Sequence, residues 1–231
     1  MFKKMQKTVC ALAVLAATAT SVMAAESVDV KVTGTITPSA CTPTLSGGGT
    51  VDYGTIKSTS LSADSYTVLA MKSLDFGVSC DAPVKISLKA VNNRQNTTAG
   101  AEEAAGGAAN SPVAIMGRST FPVVGLGMED DHKIGGYAMT IGSSVADGNN
   151  VTPIYQIEGS DSWANNSYET LYNAAAPILY SWSNATENVP VAVKDLTGKL
   201  YVQAYLNKSS ELDLTKEITL DGMSTIEIVY L

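Results

Sequence analysis

The chain carries one histidine, His132, set in Glu129-Asp130-Asp131-His132-Lys133, and any Ser-His-acid triad would have to be built on it. Such chemistry needs an imidazole shielded from water and oriented by a carboxylate. The charge run around His132 reads instead as the exposed tip of a hairpin turn. Glu129, Asp130 and Asp131 could approach a cation, but they lack the spaced ligands of a calcium-binding loop. Gly125-Leu126-Gly127 lacks the third glycine and the following helix of a phosphate cradle. No closely spaced carboxylate pair marks a glycosidase. Trp163 and Trp182 could stack on sugars, but packing is the commoner role for such residues. The expectation is a protein that is not an enzyme, with no metal site and no cofactor.

The elements that would position any site begin after a three-part leader. Lys3, Lys4 and Lys7 precede a short apolar stretch over residues 8–17, and Val22-Met23-Ala24 supplies small side chains where a signal peptidase reads. This predicts a cleaved export signal over residues 1–24, too short in its apolar part to anchor in a bilayer. Cys10 lies inside it. Cys41 and Cys80 then remain, and in an exported chain such a pair predicts a disulfide. The chain has 15 basic and 22 acidic side chains, a formal charge of −7, and the signal removes three of the lysines. An acidic chain of this kind has no electrostatic footprint for nucleic acid or anionic lipid. No later stretch is long and apolar enough to span a membrane.

Hydrophobic periodicity argues for strands. Val28, Val30 and Val32 alternate with Asp29, Lys31 and Thr33, with Gly34 and Ile36 in the same phase. Leu74, Phe76, Val78 and Cys80 alternate, Asp81-Ala82-Pro83 breaks the run, and Val84, Ile86, Leu88 and Ala90 resume it, which predicts a hairpin. Strands are also expected over 123–128, 137–141, 200–206 and 225–230, and a short helix over 168–175. Residues 92–111, rich in Asn, Thr, Ala and Gly, predict a mobile loop. Many short strands between Gly, Pro and Asn turns give an all-β fold, a sandwich or a barrel.

The two ends carry the most information. The segment 27–33 is an apolar-faced strand candidate at one end, and Ile226, Ile228 and Tyr230 share one face at the other, with Leu231 last. Unpaired strands are association hazards. Either these two pair within one closed sandwich, or the fold is incomplete and is finished by a strand from another molecule.

Gly34-Thr35-Ile36-Thr37-Pro38-Ser39-Ala40-Cys41, Val51-Asp52-Tyr53-Gly54-Thr55-Ile56 and Leu74-Asp75-Phe76-Gly77-Val78-Ser79-Cys80 together resemble a known pattern. Val124-Gly125-Leu126-Gly127-Met128, Leu200-Tyr201-Val202-Gln203-Ala204-Tyr205-Leu206 and the closing strand with penultimate Tyr230 extend it. In this order the segments resemble the pilin subunits of bacterial chaperone–usher fimbriae. The resemblance implies an immunoglobulin-like β-sandwich, incomplete and completed by a donated strand, with long loop insertions around 92–120 and 142–190. It implies a donor extension over 25–33 using Val28, Val30 and Val32, with Gly34 at its end, and a pilin-like domain over 34–231. The acceptor groove would include Ile226, Ile228, Tyr230 and Leu231. The implied partners are a periplasmic chaperone, an outer-membrane usher and neighbouring fimbrial subunits. The implied destination is the periplasm and then the cell surface, with a part in cell adhesion. The short extension and the large insertions leave an alternative: a non-polymerising periplasmic or surface binding protein on the same fold, holding a ligand such as a glycan in its insertions.

Overall fold

Alternation in the sequence becomes strands wherever a partner covers one face. The computed structural model describes residues 28–37, 39–184 and 187–231, so the export signal expected over residues 1–24 lies outside the described residues. The chain divides into Met1–Thr37 and Pro38–Leu231. In the first unit, residues 28–37 form neither strand nor helix, and Val28, Val30, Val32 and Ile36 are 85–99 % exposed.

The second unit is all-β. Its first half holds β1 (Cys41–Leu45), β2 (Thr67–Val68), β3 (Lys72–Asn92), β4 (Ala109–Asn110), β5 (Pro122–Gly125), β6 (Met128–Glu129) and β7 (His132–Lys133). The second half holds β8 (Gly135–Ala146), β9 (Asn149–Asn150), β10 (Thr152–Ile157), β11 (Trp163–Asn165), β12 (Ile178–Ser183), β13 (Ala192–Leu206) and β14 (Ser224–Tyr230). A curled antiparallel sheet runs β11-β10-β12-β3-β13-β8-β5-β4, with β1 and β14 both added to β3. It folds over on itself as a β-sandwich.

The strand β3 makes that folding possible, and it corrects the expected hairpin. Its first part pairs with β1 and β13, and its second part pairs with β14. Between the register pairs Val193↔Val84 and Asp195↔Ser79, one residue of β13, Lys194, faces four of β3, Cys80 to Pro83. Pro83 cannot donate to a ladder, and a bulge is where a strand tolerates that. Asp81-Ala82-Pro83 therefore bends one long strand from one layer into the other instead of reversing the chain. The disulfide joins Cys41 to its register partner Cys80 at this bend.

The core lies between the layers. Trp182 is 1 % exposed and stacks on Phe76 at 6.4 Å between ring centroids, while Tyr180 meets Trp182 edge-on at 5.2 Å. Trp182 is therefore a packing residue, as aromatic pairs of this geometry in cores usually are.

Two further expectations are corrected. Residues 92–111 are a packed loop: Thr98, Ala99, Ala108 and Ala109 are buried, and the Glu103 carboxylate accepts from Asn92 Nδ2, Asn96 N–H and Thr98 Oγ1 at 2.8–3.0 Å. At Gly106 the loop lies so close to the carbonyl of Asn173 that a Cβ would fall 1.7 Å from that oxygen. Residues 168–175 form no helix, because side chains take the backbone partners a helix would use. Asn166 Nδ2 donates to the Thr170 carbonyl, Thr170 Oγ1 donates to the Tyr172 carbonyl, and Glu169 has φ 54°. Val51, Tyr53 and Ile56 pack half-buried on the core without joining a ladder.

Candidate functional site

The strands β8 and β13 turn alternate residues to opposite faces, as a pleated strand must. On the inner face, Met139, Leu200, Val202, Ala204 and Leu206, with Phe76 of β3, floor an open groove of 1330 Å³. Two segments line it above that floor: residues 43–61, through Val51, Tyr53, Ile56 and Leu61, and residues 212–226, through Leu220, Ser224 and Ile226. The Tyr53 hydroxyl donates to the Val202 carbonyl at 3.4 Å, and burial pushes its pKa up.

The groove borders an unpaired strand. Among the described residues β14 pairs with β3 alone, in the register Ser224↔Asn92 through Tyr230↔Ile86. Its second edge therefore presents backbone N–H and C=O groups with no ladder partner. Of the residues expected to form an acceptor, Ile226 lines the groove and Ile228 packs half-buried against the core beside it. Tyr230 is placed differently. Its hydroxyl accepts from the Cys41 N–H at 2.8 Å, tying the last strand to the disulfide end of β1. Leu231 is 49 % exposed and donates its N–H to the Lys85 carbonyl.

Ser224 is a site residue that no sequence signal singles out. Tyr172 donates to its Oγ at 2.7 Å, and its Oγ lies 2.6 Å from the Tyr137 hydroxyl. The start of β14 is thereby bound to β8 and to the 166–175 segment. Ser224→Ala leaves two largely buried phenols short of a partner and should lower stability by about 2 kcal/mol. Urea unfolding checks this, and an unchanged midpoint would show that the hydroxyl is dispensable.

Burial pushes the Tyr137 hydroxyl up to about 12, against the weaker opposing effects of Ser224 and Arg94. Burial also raises Tyr172, Tyr180 and Tyr205. The folded state thus favours neutral phenols. That contribution is whole below a pH of about 10, the unfolded value, and is lost as pH rises towards 12. Tyr137 alone accounts for about 2–3 kcal/mol. Unfolding free energy measured alongside phenolate absorbance should fall together over that window. A stability flat across it would contradict the burial of these rings.

The other residues considered for chemistry lie apart from the groove floor. His132 is exposed on the β6–β7 hairpin, whose turn holds Asp130 at φ 48°. Lys216 Nζ reaches Glu129 at 2.8 Å and Asp130 at 2.6 Å, so a lysine already occupies the place a cation would take between them. Arg94 grips Asp221 by two bonds of 2.7 Å, which holds that carboxyl below its usual range.

The fold and groove define a disulfide-linked β-sandwich domain that leaves one sheet edge and a wide groove with an apolar floor open. A family model described as a protein of unknown function, DUF1120, matches residues 30–138. Protein GltF of Escherichia coli K12 is 30% identical, with 100% of this chain and 99% of that protein covered. The uncharacterized protein YhcF of the same strain is 28% identical over 92% of this chain and 94% of its own. The chain belongs to the DUF1120 family and is homologous to GltF and YhcF over nearly their full lengths. No solved structure matches it.

Proposed function

We propose that the chain is a structural subunit of a chaperone–usher fimbria, or a fimbrial-like surface protein, that polymerises by donor-strand exchange. The observation that carries this reading is the open groove that reaches Ser224 and Ile226 at the start of β14, a strand whose second edge is unpaired. An extended segment laid there gains a backbone ladder from β14 and apolar contacts from the floor, which is β-strand addition. Residues 28–32 supply the complementary chemistry, three alternating valines with exposed side chains. Burying each is worth roughly 1.5–3 kcal/mol before entropic costs. A segment of one copy seated in the groove of the next makes a head-to-tail contact that propagates instead of closing. Before assembly the groove would be covered by a strand from a periplasmic chaperone, and an outer-membrane usher would direct the exchange at the cell surface.

The test is a non-reducing gel of unboiled periplasmic extract, with and without the cognate chaperone. A chaperone-dependent ladder of heat-labile multimers is the expected result. A monomer that is stable without any chaperone would overturn the reading. The alternative, a non-polymerising binding protein, is favoured by a second cleft between the insertions, on the other face of the same sheet.

A further inference from the structure

The outer face of β8 and β13 carries Thr140, Tyr201 and Gln203, the residues that alternate with the groove floor. Above them lies a cleft of 540 Å³, within the range of about 300–1,000 Å³ typical of small-molecule sites. Its walls come from the two long insertions. One supplies Met116, Gly117, Arg118 and Phe121, the other Tyr168 and Glu169.

Both walls are fixed. Ile115 and Arg118 exchange backbone hydrogen bonds of 2.9 and 3.0 Å across a two-residue turn, with Met116 at φ 54° and Gly117 at φ 70°. Such a turn wants asparagine or glycine at its first position, and methionine there is strained. Gln203 holds the strained residue by accepting from the Met116 N–H at 2.7 Å while donating to the Leu69 carbonyl. On the other wall Glu169 is also left-handed, at φ 54°, and its carbonyl accepts from the Ile141 N–H. Its carboxylate lies over Gly142, where a Cβ would come within 2.5 Å of Oε2. Two of the six left-handed non-glycine residues among the described residues, Met116 and Glu169, thus face each other across this cleft, and strain of that kind is often kept for a ligand.

The charges have the same implication. Arg118 holds its guanidinium 3.9 Å from the centre of the Tyr168 ring, and no carboxylate pairs with it among the described residues. Glu169 is half-buried, and its carboxylate has neither an ion pair nor a hydrogen bond among the described residues. Burial raises its pKa. A cation and an anion share one cleft without pairing with each other.

We propose that this cleft binds a carboxylated sugar, a uronic or sialic acid residue at the end of a glycan. Arg118 takes the sugar carboxylate in a forked pair. Glu169 accepts from ring hydroxyls, Tyr201 offers aromatic surface to the C–H face of the ring, and Tyr168 holds Arg118 in place. The rim is open, with Tyr168 52 % and Met71 54 % exposed, which suits the terminal residue of a longer chain better than an engulfed metabolite. The cleft gives the alternative reading its ligand class. It lies on the opposite face from the groove, so it also stands beside strand exchange, and the two can fail separately.

The test measures binding of the oxidised protein purified from the periplasm, as free monomer or as its chaperone complex, to immobilised sialyllactose, a glucuronate-terminated disaccharide and lactose. The acidic glycans should bind at about 1 mM or tighter, with lactose weaker by about tenfold or more. Arg118→Ala, at an exposed position, should leave the circular dichroism spectrum unchanged and abolish the preference for acid. Arg118→Lys should restore part of it. Lactose binding as well as the acids, an unchanged preference in Arg118→Ala, or no binding at about 10 mM would each overturn the proposal. The gel ladder is indifferent to all of these outcomes.

Discussion

Val30→Asp should eliminate chaperone-dependent multimers while leaving the chaperone-bound subunit at its normal level. Val30 is 85 % exposed, so a carboxylate there costs its own chain nothing in packing. Seated in the groove of a neighbouring copy, the same carboxylate would face Leu, Val, Met and Ile side chains of the floor, while Lys216 on the groove wall is already held by Glu129 and Asp130. Burying an unpaired charge costs several kcal/mol, more than one valine contributes, so the exchanged state loses its advantage over the chaperone complex. Val30→Ile keeps the apolar knob and should polymerise normally. Ladders of normal length from Val30→Asp would remove residues 28–32 as the donor. Loss of the chaperone-bound monomer would instead show that Val30 supports its own domain. Each result is visible on the same gel.

The parts of the fold that were legible in the sequence are those where one face of a strand is buried and the other wet. Leu74, Phe76 and Val78 alternate because β3 lies between β1 and β13 with one face on the core. Leu200, Val202 and Ala204 alternate for the same reason, and the residues between them line the outer cleft. The bend at Asp81-Ala82-Pro83 misled because a proline ending a ladder and a proline in a bulge carry the same local signal. Only Lys194, far along the chain, distinguishes them. The loop at 92–111 misled for a different reason. Alanine and glycine suggest mobility by composition, yet their small size is what lets Gly106 approach the Asn173 carbonyl and Ala99 accept from the Tyr205 hydroxyl.

The candidate site divides along the same line. Ile226 could be placed from its alternation, and the groove borders it. Ser224 could not, because its partners Tyr137 and Tyr172 come from β8 and from an insertion without periodicity. Tyr230 was legible as an aromatic near the end of the chain, but its bond to the Cys41 N–H depends on β1 and β14 both attaching to β3. Arg118 and Glu169 lie 51 residues apart in sequence on two insertions, and neither periodicity nor a motif signals that they meet.

Replacing Cys41 and Cys80 together by serine should lower stability by about 4 kcal/mol, the chain-entropy value for a loop of this size. The bond closes 39 residues of sequence. Native stabilities are only about 5–15 kcal/mol, so the variant would be marginal at best. The effect should exceed the loop term at one place. Among the described residues β1 pairs with β3 alone, and the bond fastens its first residue to the bend where β3 changes layers. Cys80 is itself in the core, and the Cys41 N–H is the donor that holds Tyr230. Freed of the bond, β1 can detach and take the end of β14 with it, and β14 is the edge on which a donated strand would be built. Urea unfolding of the oxidised protein and the serine variant measures the loss. Hydrogen exchange at Glu227 and Val229, whose amides face β3, then separates two causes. If their protection falls with that of the whole domain, the bond acts on the unfolded chain alone. If it falls further, the bond also braces the acceptor edge, and oxidation must precede any strand exchange there.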